Sequence, residues 1–207
     1  MKKGFTLSEV MIALTVLGVL CVTVLPAIVS TMPSQKKIMI KRAYYTTANL
    51  VSDLINDPDL YPSVNTAGVE TVGFDNTDTV TFRGETYGGT TKFQELFAAQ
   101  LNIDGDITTG CNGESLTNCR TFKTADGILW TIGTSGTDYV IYVDVNADKE
   151  PNCRQGDTTA DDDCKDREKD FDKFSMTVKT DGGIEIPDEQ PWVKEALQVS
   201  SSLVDRD

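Results

Sequence analysis

Asp144, Asn146 and Asp148 stand at alternate positions in DVNADKEPN. Side-chain oxygens at that spacing open many loops that hold a hard cation, and calcium is the one this loop could take. The pattern is not an EF-hand, because Lys149 stands where the turn glycine belongs and the twelfth position is Gln155 rather than Glu. A second reading stays open beside it: residues 157–172, with eight acids and three bases, form a solvated loop held by a disulfide.

The cysteines offer the next chemistry. Cys21 lies in an apolar run, whereas Cys111 with Cys119 and Cys153 with Cys164 make two close couples in polar sequence. Zinc would want shorter knuckle spacings than the seven and ten intervening residues found here. Two local disulfides and an oxidising compartment are therefore expected, although three connectivities are formally open. Histidine is absent, which removes Ser-His-Asp and Cys-His machinery and all histidine metal ligands. With 32 Asp plus Glu against 19 Lys plus Arg, a net charge of -13, the chain also lacks the basic balance that binding a phosphate backbone requires. No nucleophile, base and stabiliser set is recognisable, so an enzyme is not expected and no cofactor is required.

Glu9 raises a different question. No charged residue occurs from Val10 to Ser34, and the 19 residues from Val10 to Ile28 suffice to cross a hydrocarbon layer about 30 Å thick as a helix. Lys2 and Lys3 would hold the N-terminus in the cytoplasm. Thr6 and Glu9 fit a T-x-x-E capping box, in which Glu9 reaches back to the Thr6 backbone N–H. A carboxylate at the mouth of a membrane segment is otherwise costly unless something pairs with it. The apolar run has no A-x-A cleavage site behind it, and the well-placed small residue is Gly4, in front.

KKG followed by FTLSE resembles the leader junction of the type IV pilin and pseudopilin family, with Gly18 and Pro26 where that family usually has Gly and Pro. The resemblance implies that a prepilin peptidase cuts between Gly4 and Phe5 and methylates the Phe5 amine. It also implies that Glu9 receives the Phe5 amine of an adjacent subunit during assembly. Pro26 frees the carbonyl of Val22 and Pro33 that of Val29, so Gly18, Pro26 and Pro33 are the expected kink positions in the first helix. Some relatives of this kind bind calcium in a C-terminal loop. The acid and aromatics that follow in those loops would have their counterparts around Asp170 to Phe174, after an insertion carrying Cys153 and Cys164.

The elements that would carry these groups follow from periodicity. Beyond Ser34, a candidate N-cap, apolar positions recur at three and four through about residue 55, the mark of an amphipathic helix, and NDPDLYP stops it. Residues 62–90 read as a loop-rich connection with one short strand at Val80 to Phe82. A second helix is expected from about Thr91 to Leu101. RTFKTADGILWTIG predicts a hairpin turning at Asp126-Gly127, DYVIYVDV a buried strand, and FSMTVKTDGGIEI a further hairpin through Asp181-Gly182-Gly183. A short helix at Trp192 to Val199 closes the reading.

The fold expected is α+β and pilin-like: a long N-terminal helix with a transmembrane first half, on a four- or five-stranded antiparallel sheet with disulfide-tied loops. Its divisions are a leader at 1–4, a transmembrane and filament-core helix at 5–33, and an extracytoplasmic domain at 34–207. The resemblance implies a structural subunit of a type IV pilus-like or type II secretion pseudopilus filament. Its partners would be copies of itself or other pilins, the prepilin peptidase, the assembly machinery and membrane lipid, without nucleic acid. Its place would be the bacterial inner membrane as a single-pass precursor, then a periplasmic or surface filament. The alternative is a single-pass anchored extracytoplasmic binding module, calcium-dependent if the acidic loop holds that cation, that never polymerises.

Overall fold

A computed structural model describes residues 7–18, 35–66, 69–147, 149–150, 152–155 and 171–198. The chain divides into two units, residues 1–35 and 36–207. In the first, residues 7–18 form helix α1. Its large apolar side chains are exposed, Leu7 at 82% and Ile12 at 64% among them. Among the described residues no helix is long and apolar enough to cross a membrane. The remainder of the apolar run, with Pro26 and Pro33, lies outside the described residues.

In the second unit, α2 (Gln35–Ile55) buries Ile40, Ala43, Thr47, Val51 and Leu54. Steps of three and four place all five on one stripe, so the helix is held by tertiary packing of that stripe. Asp57 and Pro58 end it: the Asp57 carboxylate accepts the Asp59 backbone N–H at 2.9 Å, forming a turn the helix cannot continue through. Helix α3 (Lys92–Ala99) buries Phe93, Leu96, Phe97 and Ala98, and α4 (Pro191–Gln198) buries Trp192, Val193 and Ala196.

The main sheet has seven strands: β5 (Thr108–Thr109), β6 (Thr117–Lys123), β7 (Leu129–Ser135), β8 (Asp138–Asp144), β9 (Cys153–Arg154), β10 (Phe171–Val178) and β11 (Ile184–Glu185). The order is β11-β10-β8-β7-β6-β5, with β9 running parallel beside β10. Register pairs Trp130 with both Phe122 and Val143, and Ile141 with both Ile132 and Met176. Those side chains join Ile40, Val51, Leu54 and Phe97 in a single buried cluster. The Phe97 and Trp130 rings lie 5.7 Å apart and those of Phe93 and Tyr139 4.3 Å apart, so α3 contributes the aromatic part of the core.

Several expectations are corrected. The sheet exceeds the four or five antiparallel strands expected and includes one parallel pairing. Residues 62–90 hold two hairpins rather than one strand, β1 (Val64–Thr66) with β2 (Val69–Thr71) and β3 (Val80–Phe82) with β4 (Glu85–Tyr87). These three-residue strands are too short for alternation to be visible in sequence. The β6–β7 connection is longer than a two-residue turn. Lys123 pairs with Leu129, Thr124 N–H bonds the Ile128 carbonyl at 2.9 Å, and Gly127 supplies the positive φ of 86° that closes the loop.

Candidate functional site

Two regions carry the residues singled out from sequence. At the N-terminus, Glu9 sits in α1, exposed and flanked by Val10 (46% exposed) and Met11 (61%). Gly18 is the last described residue of α1, and among the described residues a Cβ there would meet nothing within 4 Å. Gly4, Phe5 and the capping-box Thr6 lie outside the described residues, as do Pro26 and Pro33.

The second region is the turn that follows β8. Asp144 ends that strand, 4% exposed, and its carboxylate accepts the Asn146 backbone N–H at 3.1 Å. This turn follows the end of β8, and Ala147 completes it with a φ of +54°. Asp172, on β10 and fully buried, takes hold of the same segment. It accepts the Asn146 side-chain amide at 3.1 Å, the Asn152 N–H at 3.1 Å and the Cys153 N–H at 2.6 Å. Val145 N–H adds a bond to the Asp172 carbonyl at 2.9 Å. A buried carboxylate is stable only with such donors around it, and here the donors are the loop itself.

The electrostatics of this corner are balanced by Lys173, whose amine is 3.8 Å from Asp144 Oδ2. Asn146 Oδ1 is buried and, among the described residues, has no hydrogen-bond partner. The amide is committed through its nitrogen to Asp172. Asp148, the third residue of the sequence pattern, lies outside the described residues. Among the described residues no group of three or more acids and cysteines forms a ready metal site.

Asp172 carries the loop's geometry, and only its neighbourhood could be indicated from sequence. The spacing of twenty-six residues from Asn146 crosses the insertion that holds the second cysteine couple. The flanking aromatics of that segment are buried as well: Phe171 meets Trp192 at 5.8 Å between ring centres, and Phe174 is fully buried. Gln190 anchors α4 to the same strand, accepting the Ser175 N–H at 2.9 Å and donating to its hydroxyl at 2.6 Å.

Cys111 and Cys119 form a disulfide across the loop leading into β6, as the local pairing anticipated. Cys153 is also disulfide-bonded, while Cys164 lies outside the described residues. Arg154 joins the two cysteine-bearing loops: its guanidinium reaches Glu114 at 2.8 Å and stacks 4.6 Å from the Tyr142 ring centre.

Residues 1–25 match the family described as the prokaryotic N-terminal methylation motif, the cleavage signal of type IV pilin and pseudopilin precursors. The chain thus carries that cleavage signal at residues 1–25. No curated protein and no solved structure gave a match.

Proposed function

We propose that this protein is a structural subunit of a type IV pilus-like or type II secretion pseudopilus filament. Prepilin peptidase cuts after Gly4 and methylates the Phe5 amine. The apolar helix then stores the subunit in the bacterial inner membrane and later packs against other copies in the filament. The observation that carries this reading is the methylation-motif match over residues 1–25, with Glu9 at the head of an uncharged run. Mature Phe5 lies four residues before Glu9, about 6 Å along a helix, so the acid of one subunit and the amine of the next sit at similar depth. Pairing them removes the cost of a lone carboxylate in a low-dielectric layer. The domain of residues 34–207 forms the acidic outer surface.

Mass spectrometry of the first mature peptide tests this reading. N-methylated Phe5 at the terminus of a chain recovered in filaments is the expected result. An intact leader on a chain that stays monomeric would overturn it in favour of a membrane-anchored extracytoplasmic binding module.

A calcium site at Asp144, Asn146 and Asp148 is a second proposal, and the buried Asn146 Oδ1, without a hydrogen-bond partner among the described residues, favours it. A bound cation would supply that oxygen with a partner. Calcium on the order of a millimolar should raise the melting temperature of the wild type and leave Asn146→Ala unmoved. An unmoved wild type ends the proposal.

A further inference from the structure

Lys92 is the one cationic side chain in the buried class among the described residues, only 2% exposed at the first position of α3. Its amine sits 4.3 Å over the Tyr61 ring and 3.2 Å from Asn76 Oδ1. The same oxygen accepts the Asp78 backbone N–H at 2.9 Å, and the other end of the carboxamide, Nδ2, donates to Asp78 Oδ2 at 3.3 Å. These contacts fix the orientation of the carboxamide. They also bring together an amine, an acyl group, a donor on the acyl oxygen and a carboxylate on the leaving nitrogen.

The surrounding backbone holds this set in place. Gly89 N–H bonds the Thr77 carbonyl at 2.9 Å, and a Cβ on Gly88 would fall 2.8 Å from Thr79 Oγ1. The turn before α3 is therefore pressed against the 74–79 loop, with no room for a side chain at Gly88. Beneath it, Phe74 packs on Phe93 at 4.7 Å and on Tyr61 at 4.9 Å between ring centres. The amine is thus confined beside one carboxamide, and confinement of that kind replaces a bimolecular encounter by an internal one.

We propose that Lys92 and Asn76 condense into an intramolecular amide that ties the start of α3 to the 74–78 loop. A turn about the end of the Lys92 stem moves the neutral amine from the edge of the carboxamide to its face. Nζ attacks Cγ and the Nζ–Cγ bond forms, while the Asp78 N–H stabilises the negative charge that develops on Oδ1. The Asp78 carboxylate takes the proton from the attacking nitrogen and delivers it to Nδ2. The Cγ–Nδ2 bond then breaks and ammonia leaves. Nothing is oxidised or reduced, and no co-reactant is consumed. Burial, the larger cause, pushes the Lys92 amine below its ordinary value and the Asp78 charge opposes that shift, so the neutral form that must attack is easier to reach than in a solvent-exposed lysine. Asn76, Thr77 and Asp78 line an open groove of about 570 Å³, which gives ammonia a way out.

This cross-link is independent of filament assembly, and the test reads only the covalent structure of the purified full chain. The expected intact mass is lighter than the sequence mass by one ammonia, beyond the hydrogens lost to disulfides. After reduction, trypsin should release residues 43–83 joined to residues 84–120, with no cut after Lys92. Lys92→Arg and Asn76→Ala should each restore the full mass. Asp78→Asn retains the amine, the carboxamide and the backbone donor and removes the proton carrier, so a folded Asp78→Asn chain should also keep its ammonia. A wild type of full mass, cleaved freely after Lys92, overturns the proposal. So does an ammonia loss that persists in Lys92→Arg, because that marks ring closure of Asn76 on its own backbone.

Discussion

The Asp172 carboxylate and the Asn146 side-chain amide, twenty-six residues apart in sequence, are bonded at 3.1 Å in the interior of the domain. With the Asn152 and Cys153 N–H groups on the same carboxylate, that bond fastens the turn after β8 to β10 across the 156–170 insertion. Replacing Asp172 by Ala strands three donors, and a loss of about 3 kcal/mol is expected from the price of buried unmade hydrogen bonds. Asp172→Asn should lose roughly half of that, since its oxygen still accepts. Urea unfolding checks the order of the three proteins, and equal midpoints for wild type and Asp172→Ala would rule out the clamp.

Gly133 lies in β7 where a Cβ would meet Cys119 Sγ at 2.6 Å, Leu116 Cβ at 2.9 Å and the Thr117 carbonyl at 2.9 Å. The disulfide-tied loop is laid directly on bare backbone. Gly133→Ala should therefore destabilise by about 2 kcal/mol or more through overpacking. The shift is expected in thermal unfolding, and freeing the loop with Cys111→Ser/Cys119→Ser should shrink the additional cost of Gly133→Ala. A cost that is unchanged in that background would show that the clash is not with the loop.

Burial raises the Tyr61 and Tyr139 hydroxyls above the ordinary phenol value of 10.0, with the Tyr139 and Asp75 charges as the respective smaller causes. The folded protein keeps both phenols neutral where an unfolded chain ionises them. Their contribution to stability is complete below pH 10 and declines as pH rises through the folded values, so alkaline unfolding should begin above that point. Phenolate absorbance of these two rings should appear only together with unfolding. Tyr139 donates to the Phe74 carbonyl at 2.9 Å, whereas the buried Tyr61 hydroxyl has no hydrogen-bond partner among the described residues. Tyr139→Phe is expected to cost about 1 kcal/mol at neutral pH, and Tyr61→Phe should be neutral or slightly stabilising.

Glu9→Ala should reduce filament yield by about tenfold or more, the factor that ~1.4 kcal/mol of lost pairing produces. The unfolding midpoint of the 34–207 domain should not move, because Glu9 belongs to the other unit of the chain. Counting filaments by electron microscopy beside domain melting separates an assembly defect from a folding one. Normal filament numbers in Glu9→Ala would remove the docking role.

How much of this could be read in advance depended on distance along the chain. α2 was legible because five buried side chains repeat at helical steps and Asp57-Pro58 marks its end. The β6–β7–β8 order was legible because alternating and β-branched runs follow one another with turn residues between them. The paired hairpins of residues 64–87 were not, since three-residue strands show no period. Lys92 could not be singled out from sequence, because nothing local marks a charged residue that is 2% exposed.

Taken alone, the sequence determined the methylation motif, with Gly4, Phe5 and Glu9 in fixed register before an uncharged run, since a motif and a run of uncharged residues are properties of contiguous residues. It pointed to a local Cys111–Cys119 bridge across eight positions while leaving three connectivities open, and the structure forms that pair. Only the tertiary structure decided that β9 runs parallel to β10 under an Asp172 clamp, and that Lys92 faces Asn76 over the Tyr61 ring. Those arrangements depend on which backbone donors and rings the packed core leaves within reach, and segments separated by a long loop meet only once that core has formed.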